Sequence, residues 1–594
     1  MSAVSQGSER PPEVSVFLVR LAIACVQAAA LYLLAKAAGS PHFWPATEPE
    51  VFDPLFLVAL FVPLAPLQAL GQIPARSLLI WIAVVTLMLV VLGYFDAARL
   101  RVEPFGNGDQ IFPSWQLLWA LMPSLFVAHV LVTDQVAERR LVPSYPRHFD
   151  TAWKIAVQLV LAAVFAIVFH LVLALGAGLF QLLNVGFFSN LIDRLWFLFP
   201  SITLSVAVAL HLTDVQPALI RGARSLALTL FSWLLPALAV ILLGFLVSLP
   251  FISLAPLWKT NFAATLLLIA AGSLVFFLNC AYQDGTAPQA INWVKRAAGT
   301  IAAVELIPLV GLAIWALGLR VGEYGWTEQR IFAAAIIALG ACYAVGYGLT
   351  LVPAPAWMKR LEITNFIGAY VFLGLVLVLF TPIADPARLM VADQVARLKS
   401  GRIAPDKFDF ASLKFDGARW GAAALAELSQ TRLGPNADMI SSRARLAMAL
   451  ISPYGVGANS PYQLTPEQMA GRVDIYPAGR NLPASFYQLS SSLWAGSTTP
   501  TCLILYSVPK CKARFIVLQP NAPEAIIFMS NDGGGSVFEQ DATGSWHSTG
   551  YISNLCGAIR NDLADGAVGL AAHPEPDLVV DGRHLTIDPI VPCV

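Results

Sequence analysis

Eleven separate stretches of about twenty mostly apolar residues decide what this chain can become, because a helix rising 1.5 Å per residue needs roughly that many to cross a hydrocarbon core of about 30 Å. They fall near 14–37, 53–72, 77–95, 114–134, 152–181, 192–213, 224–249, 260–282, 297–319, 329–352 and 361–384. The chain is 57% hydrophobic and 12% charged, against about half and a quarter for a soluble domain. The pattern predicts an all-α polytopic transmembrane helical bundle over residues 1–384. A juxtamembrane helical connector is expected at 385–432, and an extracytoplasmic α+β domain, rich in β-meander, at 433–594. Net charge is zero, which leaves no basic surface for nucleic acid and makes the lipid bilayer the expected environment.

Orientation follows from Lys and Arg, which collect in short cytoplasmic loops. With the amino terminus inside, the inner flanks hold Arg10, Arg20, Arg76, Arg139, Arg140, Arg147, Lys154, Arg221, Arg224, Lys295, Arg296, Lys359 and Arg360, thirteen in all. The outer flanks hold seven: Lys36, Arg99, Arg101, Arg194, Lys259, Arg320 and Arg330. The stretch Met1–Glu13 lacks the basic flank of a signal peptide, so the first span is expected to be retained. An odd number of spans then places the C-terminal domain on the periplasmic side of a bacterial inner membrane. Four cysteines in that domain, Cys502, Cys511, Cys556 and Cys593, read as two disulfides with three possible connectivities. The alternative is four buried thiols. Cys25, Cys280 and Cys342 lie in spans and read as small apolar fillers.

After the last span, Gln394, Arg397 and Lys399 mark a charged helix. Phe408–Asp416 reads as extended or turn, Trp420–Leu428 as helix, and Thr465-Pro466-Glu467 as a helix start. Short β-branched or aromatic runs at 502–507, 513–518, 524–529, 536–539 and 545–551 predict an antiparallel meander. Asn531-Asp532-Gly533-Gly534-Gly535 lacks the Lys and Ser/Thr of a phosphate loop and reads as a hairpin turn.

Ionisable groups inside spans are costly and mark candidate sites. Glu305 is the one carboxylate expected well inside a span, and Pro308 follows it closely. Arg20, His129, His211, Asn279 and Asn365 fall at similar depth in the inner half. Together with Glu305 they form a candidate intramembrane polar cluster, in which Arg20 is the natural ion-pair partner of Glu305. The alternative is a set of separate groups that snorkel or make interhelical hydrogen bonds. A second candidate, on the outer face, joins Arg320, Glu323, Tyr324, Trp326 and Arg330, either as a headgroup-level anchor or as a contact for phosphate. His170, alone on an apolar helix, reads as a packed residue.

The chain resembles an uncharacterised bacterial family of polytopic membrane proteins, domain of unknown function 4153. The resemblance rests on Leu179-Phe180-Gln181-Leu182-Leu183-Asn184-Val185-Gly186-Phe187-Phe188, on Arg320 to Arg330 with its Tyr-Gly-Trp-Thr element, on Phe408 to Asp416, on Arg419-Trp420-Gly421, and on Ala424-Leu425. It implies a multi-spanning membrane protein without an assigned activity and transfers no catalytic residue. His170 stands where the family pattern carries an aromatic residue.

No zinc-protease, nucleophile-elbow, paired-cysteine or haem-attachment motif occurs, and His547, His573 and His584 are dispersed. No metal or cofactor is implied, and the sequence leans away from an enzyme. The expected function is a non-enzymatic envelope protein whose outer domain binds a ligand or a protein partner. The alternatives are a secondary transporter with a polar site around Glu305, and a membrane transferase for a lipid-linked substrate using Glu48, Glu50 and Asp53.

Overall fold

The computed structural model describes residues 13–39, 42–100, 112–252, 263–286, 292–352, 357–432, 434, 436–452, 455–456, 471, 473–477, 479–483, 485–486, 510–518, 523–529, 535–541, 544, 546–552, 563, 578–580 and 583–585. The chain divides into two compact units, Met1–Met390 and Val391–Val594.

Among the described residues, eleven helices are long and apolar enough to cross a membrane. The protein is a multi-pass membrane protein. Its first unit runs α1 (Glu13–Ala37), α2 (Pro49–Phe61), α3 (Leu64–Ala69), α4 (Ala75–Leu100), α5 (Trp115–Glu138), α6 (Tyr145–Leu182), α7 (Phe187–Ile192) and α8 (Leu195–Val215). It continues with α9 (Pro217–Ser248), α10 (Ala263–Tyr282), α11 (Trp293–Tyr324), α12 (Glu328–Gly348) and α13 (Arg360–Leu379). α2 and α3 together make the second span. α6, with 38 residues, rises about 57 Å, nearly twice what the hydrocarbon requires.

Two packing regimes hold the first unit together. α11 buries Ala298, Gly299, Ala302, Ala303, Ala313 and Ala316 against its neighbours. Small side chains of this kind let helix backbones approach where lipid removes the usual hydrophobic gain. Leu235, Leu274, Leu309 and Tyr347 fill the spaces between α9, α10, α11 and α12. A smaller core of Ala24, Leu67, Ala162, Ala207 and Leu210 ties α1, α3, α6 and α8. Gly93 lets α4 lie directly on α2, since a Cβ there would meet the backbone nitrogen of Pro54 at 2.9 Å.

α14 (Pro386–Lys399) begins at Asp385, whose Oδ1 accepts from the amides of Ala387 and Arg388 at 2.9 and 3.2 Å, with Pro at the first helical position. The second unit continues with α15 (Phe410–Phe415), α16 (Ala418–Ser429) and α17 (Ala437–Ala449). α15 corrects the extended reading of Phe408–Asp416. Asp409 caps it by accepting from Ala411 and Ser412 amides at 3.0 and 3.1 Å, and a helix of six residues is too short to show its own period. Gly421 sits where any Cβ would collide with the Leu413 carbonyl, which explains the glycine of the Arg-Trp-Gly element: it brings α16 onto α15.

Among the described residues, nine short strands follow. β1 (Leu450–Ser452) pairs with β2 (Gly455–Val456), and β8 (Leu578–Val580) with β9 (Arg583–Leu585). The main sheet has the order β3 (Val473–Tyr476), β4 (Cys511–Ile516), β5 (Ala525–Met529), β6 (Gly535–Gln540), β7 (Trp546–Ile552). β4 to β7 form the expected antiparallel meander, while β3 joins parallel to β4 in the register Val473 with Cys511. β5 is buried along its whole length because the sheet is covered on both sides. Ile526 and Phe528 face one cluster with Phe486, Phe538 and Trp546, and Ala525, Ile527 and Met529 face another with Val537. The expected strand at 502–507, the helix start at Thr465 and the turn at 531–534 lie outside the described residues.

Candidate functional site

Proline chemistry in the second span opens the candidate site. Pro63 has no amide hydrogen, so the carbonyl of Ala59 loses its helical donor, and the helix stops at Phe61 before resuming as α3 at Leu64. Stranded carbonyls in an apolar setting need another partner. Gln27, buried on α1, supplies it: its Nε2 donates to Ala59 O at 3.2 Å and to Leu60 O at 3.1 Å.

Beside this break lies a cavity of about 410 Å3, within the size range of small-molecule sites. Its walls come from Gln27 and Leu31 on α1, Leu60 and Phe61 on α2, Leu64, Ala65 and Gln68 on α3, and Trp81 and Val85 on α4. Met122, Leu125, Phe126 and His129 on α5, Leu159 on α6, and Ile202, Thr203 and Val206 on α8 complete them. Among the described residues, no Asp, Glu, Lys or Arg lines it. Thr203 donates to Ala24 O at 3.0 Å, which ties α8 to α1. Trp81 Nε1 donates to His129 Nδ1 at 3.1 Å.

The six residues of the expected inner cluster do not meet at one point. Arg20 and His211 do come together, with Arg20 Nη1 3.4 Å from His211 Nδ1. The ion-pair partner of Arg20 is Asp214, which corrects the expected pairing with Glu305. Asp214 also accepts from Gln158 at 2.9 Å and lies 3.5 Å from Lys154, so one carboxylate joins α1, α6 and α8. Asn279 and Asn365 also meet. Asn365 Nδ2 donates to Asn279 Oδ1 at 2.6 Å and to the Tyr145 hydroxyl at 3.0 Å, and Tyr347 OH accepts from Asn279 at 2.7 Å and donates to Asn365 Oδ1 at 2.8 Å. This closed ring cross-links four spans and satisfies its own members. His129 stands apart on the cavity wall. Glu305 is 2% exposed, and neither carboxyl oxygen has a hydrogen-bond partner among the described residues.

Two further charged groups escaped the sequence reading. Asp134, fully buried, accepts from Thr151 at 2.7 Å and pairs with His148 at 3.0 Å and Arg147 at 3.3 Å. At the opposite ends of the spans, Asp96 accepts from the Ser114 amide and hydroxyl at 2.7 and 2.8 Å and pairs with Arg99 at 2.9 Å. Asp385 Oδ2 lies 3.7 Å from the same guanidinium. Burial pushes the Asp385 carboxyl above the ordinary range, outweighing Arg99 and the capping amides that pull it down. Asp53, one of the three acids considered for transferase chemistry, is buried, and its Oδ1 has no hydrogen-bond partner among the described residues.

The outer motif is brought together by the turn between α11 and α12. The guanidinium carbons of Arg320 and Arg330 lie 5.8 and 5.7 Å from the centre of the Tyr324 ring. Thr327 caps α12 by accepting from the Arg330 amide, and Trp326 packs half-buried on the helical core, whereas Glu323 is exposed. His170 Nδ1 donates to Ala166 O at 2.8 Å and its Nε2 lies 3.0 Å from Ser201 Oγ, a packed position between α6 and α8. Among the described residues, no group of three or more His, Cys, Asp or Glu is placed to hold a metal ion. Cys511 is buried on β4; Cys502, Cys556 and Cys593 lie outside the described residues.

Residues 55–420 match the family model described as Domain of unknown function (DUF4153). The chain belongs to this family. No curated protein and no solved structure matches it. The DUF4153 match takes in the cavity wall from Leu60 to Val206, Glu305, the polar ring and the Arg320–Arg330 turn. Gln27 and Leu31, which close the cavity from α1, and Asp53 precede it, and the five-stranded sheet follows it.

Proposed function

We propose that this DUF4153 protein is a non-enzymatic protein of the bacterial inner membrane that binds a mostly apolar small molecule in the cavity beside its broken second span. Its amino terminus is in the cytoplasm and its C-terminal unit in the periplasm, as the thirteen inner against seven outer basic residues favour. In that compartment the four C-terminal cysteines pair as two disulfides. The observation that carries the reading is the cavity itself: lined by six spans, apolar over most of its wall, with a few polar groups. The sequence pointed to the C-terminal domain for recognition; the cavity supports a ligand site in the membrane unit instead.

Native mass spectrometry of the full chain released from nanodiscs tests this directly. The wild-type protein retains a bound amphiphile, and Val206→Trp, which fills the cavity from α8, loses it while keeping its helical circular dichroism. Equal occupancy in the two proteins sinks the reading.

A second reading, transport of the same molecule, is favoured by one feature. Transporters build substrate sites at discontinuous helices, and the cavity lies against the Phe61–Leu64 break. Glu305, with its unpartnered carboxyl, is then the candidate coupling group. Proteoliposomes in which the bound amphiphile equilibrates no faster than in protein-free vesicles remove this reading and leave binding intact.

A further inference from the structure

The hydrogen bond between Trp81 and His129 fixes more than the position of a ring. An indole nitrogen can only donate. His129 Nδ1, 3.1 Å from Trp81 Nε1, therefore accepts, and its lone pair is occupied. The imidazole proton must then sit on Nε2. A second proton has no free nitrogen to go to. The ring is a neutral, oriented N–H donor. His129 is 6% exposed and lines the cavity, and the described residues give its Nε2 no partner.

The other polar groups on the wall are also neutral. Gln27 spends its amide nitrogen on the carbonyls of Ala59 and Leu60, leaving Oε1 as an acceptor. Gln68 brings a second carboxamide. A charged head group would enter a low-dielectric cavity that offers no counter-charge, at a cost of several kcal/mol. A neutral head with an acceptor oxygen finds a donor already aimed.

We infer that the cavity is selective for an uncharged amphiphile whose head carries a carbonyl-type oxygen, received by His129 Nε2–H, with an apolar body against Leu31, Phe61, Met122 and Phe126. The inference rests on the reading of the cavity as a ligand site and adds its chemical class.

The test uses the full chain in phosphatidylcholine nanodiscs with three probes of equal chain length, decyl methyl ketone, dodecane and dodecanoate, and reads occupancy by native mass spectrometry against empty nanodiscs. The ketone is expected to exceed both others in the wild-type protein. His129→Phe lowers ketone occupancy about three- to tenfold, the value of one hydrogen bond, and leaves dodecane unchanged. Nitrogen-15 spectra of the wild-type imidazoles provide a readout that needs no variant: the signals lost in His129→Phe must be those of an Nε2-protonated neutral ring. Ketone and dodecane binding equally, or dodecanoate binding best, overturns the proposed head-group class while the cavity stands. An Nδ1-protonated ring overturns the donor assignment. If no probe is retained and Val206→Trp behaves like wild type, the ligand-site reading itself has failed and this inference goes with it.

Discussion

Gln27 on the first span donates to the carbonyl of Ala59 on the second, the group that Pro63 leaves without its helical donor. One side chain thus repairs the damage that a proline four residues further on has caused. Gln27→Leu strands that carbonyl and costs about 1–3 kcal/mol. Pro63→Ala returns a backbone amide at the right place, so the double variant Gln27→Leu, Pro63→Ala recovers much of the loss. Denaturation of the four proteins in mixed detergent micelles measures the coupling; purely additive effects contradict the repair.

Buried Arg20 pairs with part-buried Asp214 at one end of α1 and α8. Removing Asp214 leaves the guanidinium without its counter-charge and destabilises by about 3–5 kcal/mol, whereas removing Arg20 leaves Asp214 with Lys154 and Gln158. Asp214→Leu should therefore be worse than Asp214→Leu combined with Arg20→Leu, because the double variant buries no unpaired charge. The same micelle denaturation ranks them.

Glu305 buries two carboxyl oxygens that have no hydrogen-bond partner among the described residues, an expense that packing does not return. Glu305→Leu, similar in volume and apolar, raises stability by about 1–3 kcal/mol. A thermal shift downward instead would mean that the carboxyl makes a favourable contact in the folded protein. If Glu305 couples transport, the same variant is more stable and inactive in vesicles.

Asp385 gives the membrane unit a pH dependence of definite sign. Its folded carboxyl is raised above the ordinary 3.8, first because it is buried. The folded state therefore holds a proton that the unfolded state has already lost. Its contribution is full below 3.8 and falls as pH rises through the higher folded value. Asp385→Asn keeps an oxygen for the helix cap and removes the titration, so melting temperature should decline less steeply than wild type over that window. Parallel melting curves for the two proteins remove Asp385 as the source.

The spans were legible because an apolar run of about twenty residues needs no knowledge of its neighbours. Partners were not. Asp214 stood one residue beyond the expected end of its span, so it was read as loop and Arg20 was assigned to the only acid visible inside the bilayer. Asp96 and Arg99 are i,i+3 neighbours on α4, but Asp385 reaches the same guanidinium only by the packing of α4 against the start of α14, a relation with no trace in local sequence. Pro63 removes an amide from the second span, but nothing in the spacing names Gln27 as the residue that accommodates it. In the second unit, alternation and turn residues marked β4 to β7, whereas β3 pairs parallel across a long separation and carries only four residues. Depth alone put Asn279 and Asn365 in one group of six, whereas the hydrogen bond between them and the tyrosines that close their ring depend on packing that no spacing shows.

The length of α6 has a consequence for where such a protein can live. Its 38 residues exceed what any ordinary membrane can cover in an upright pose, and Leu171, Val172, Leu175, Leu179 and Leu182 along its second half are exposed and apolar. Every extra carbon in the surrounding acyl chains hides more of that surface, and every shorter chain makes the helix lean further. Since α6 contributes Leu159 to the cavity and Gln158 to Asp214, its lean bears on both, and lipid chain length becomes a setting that tunes them from outside the polypeptide.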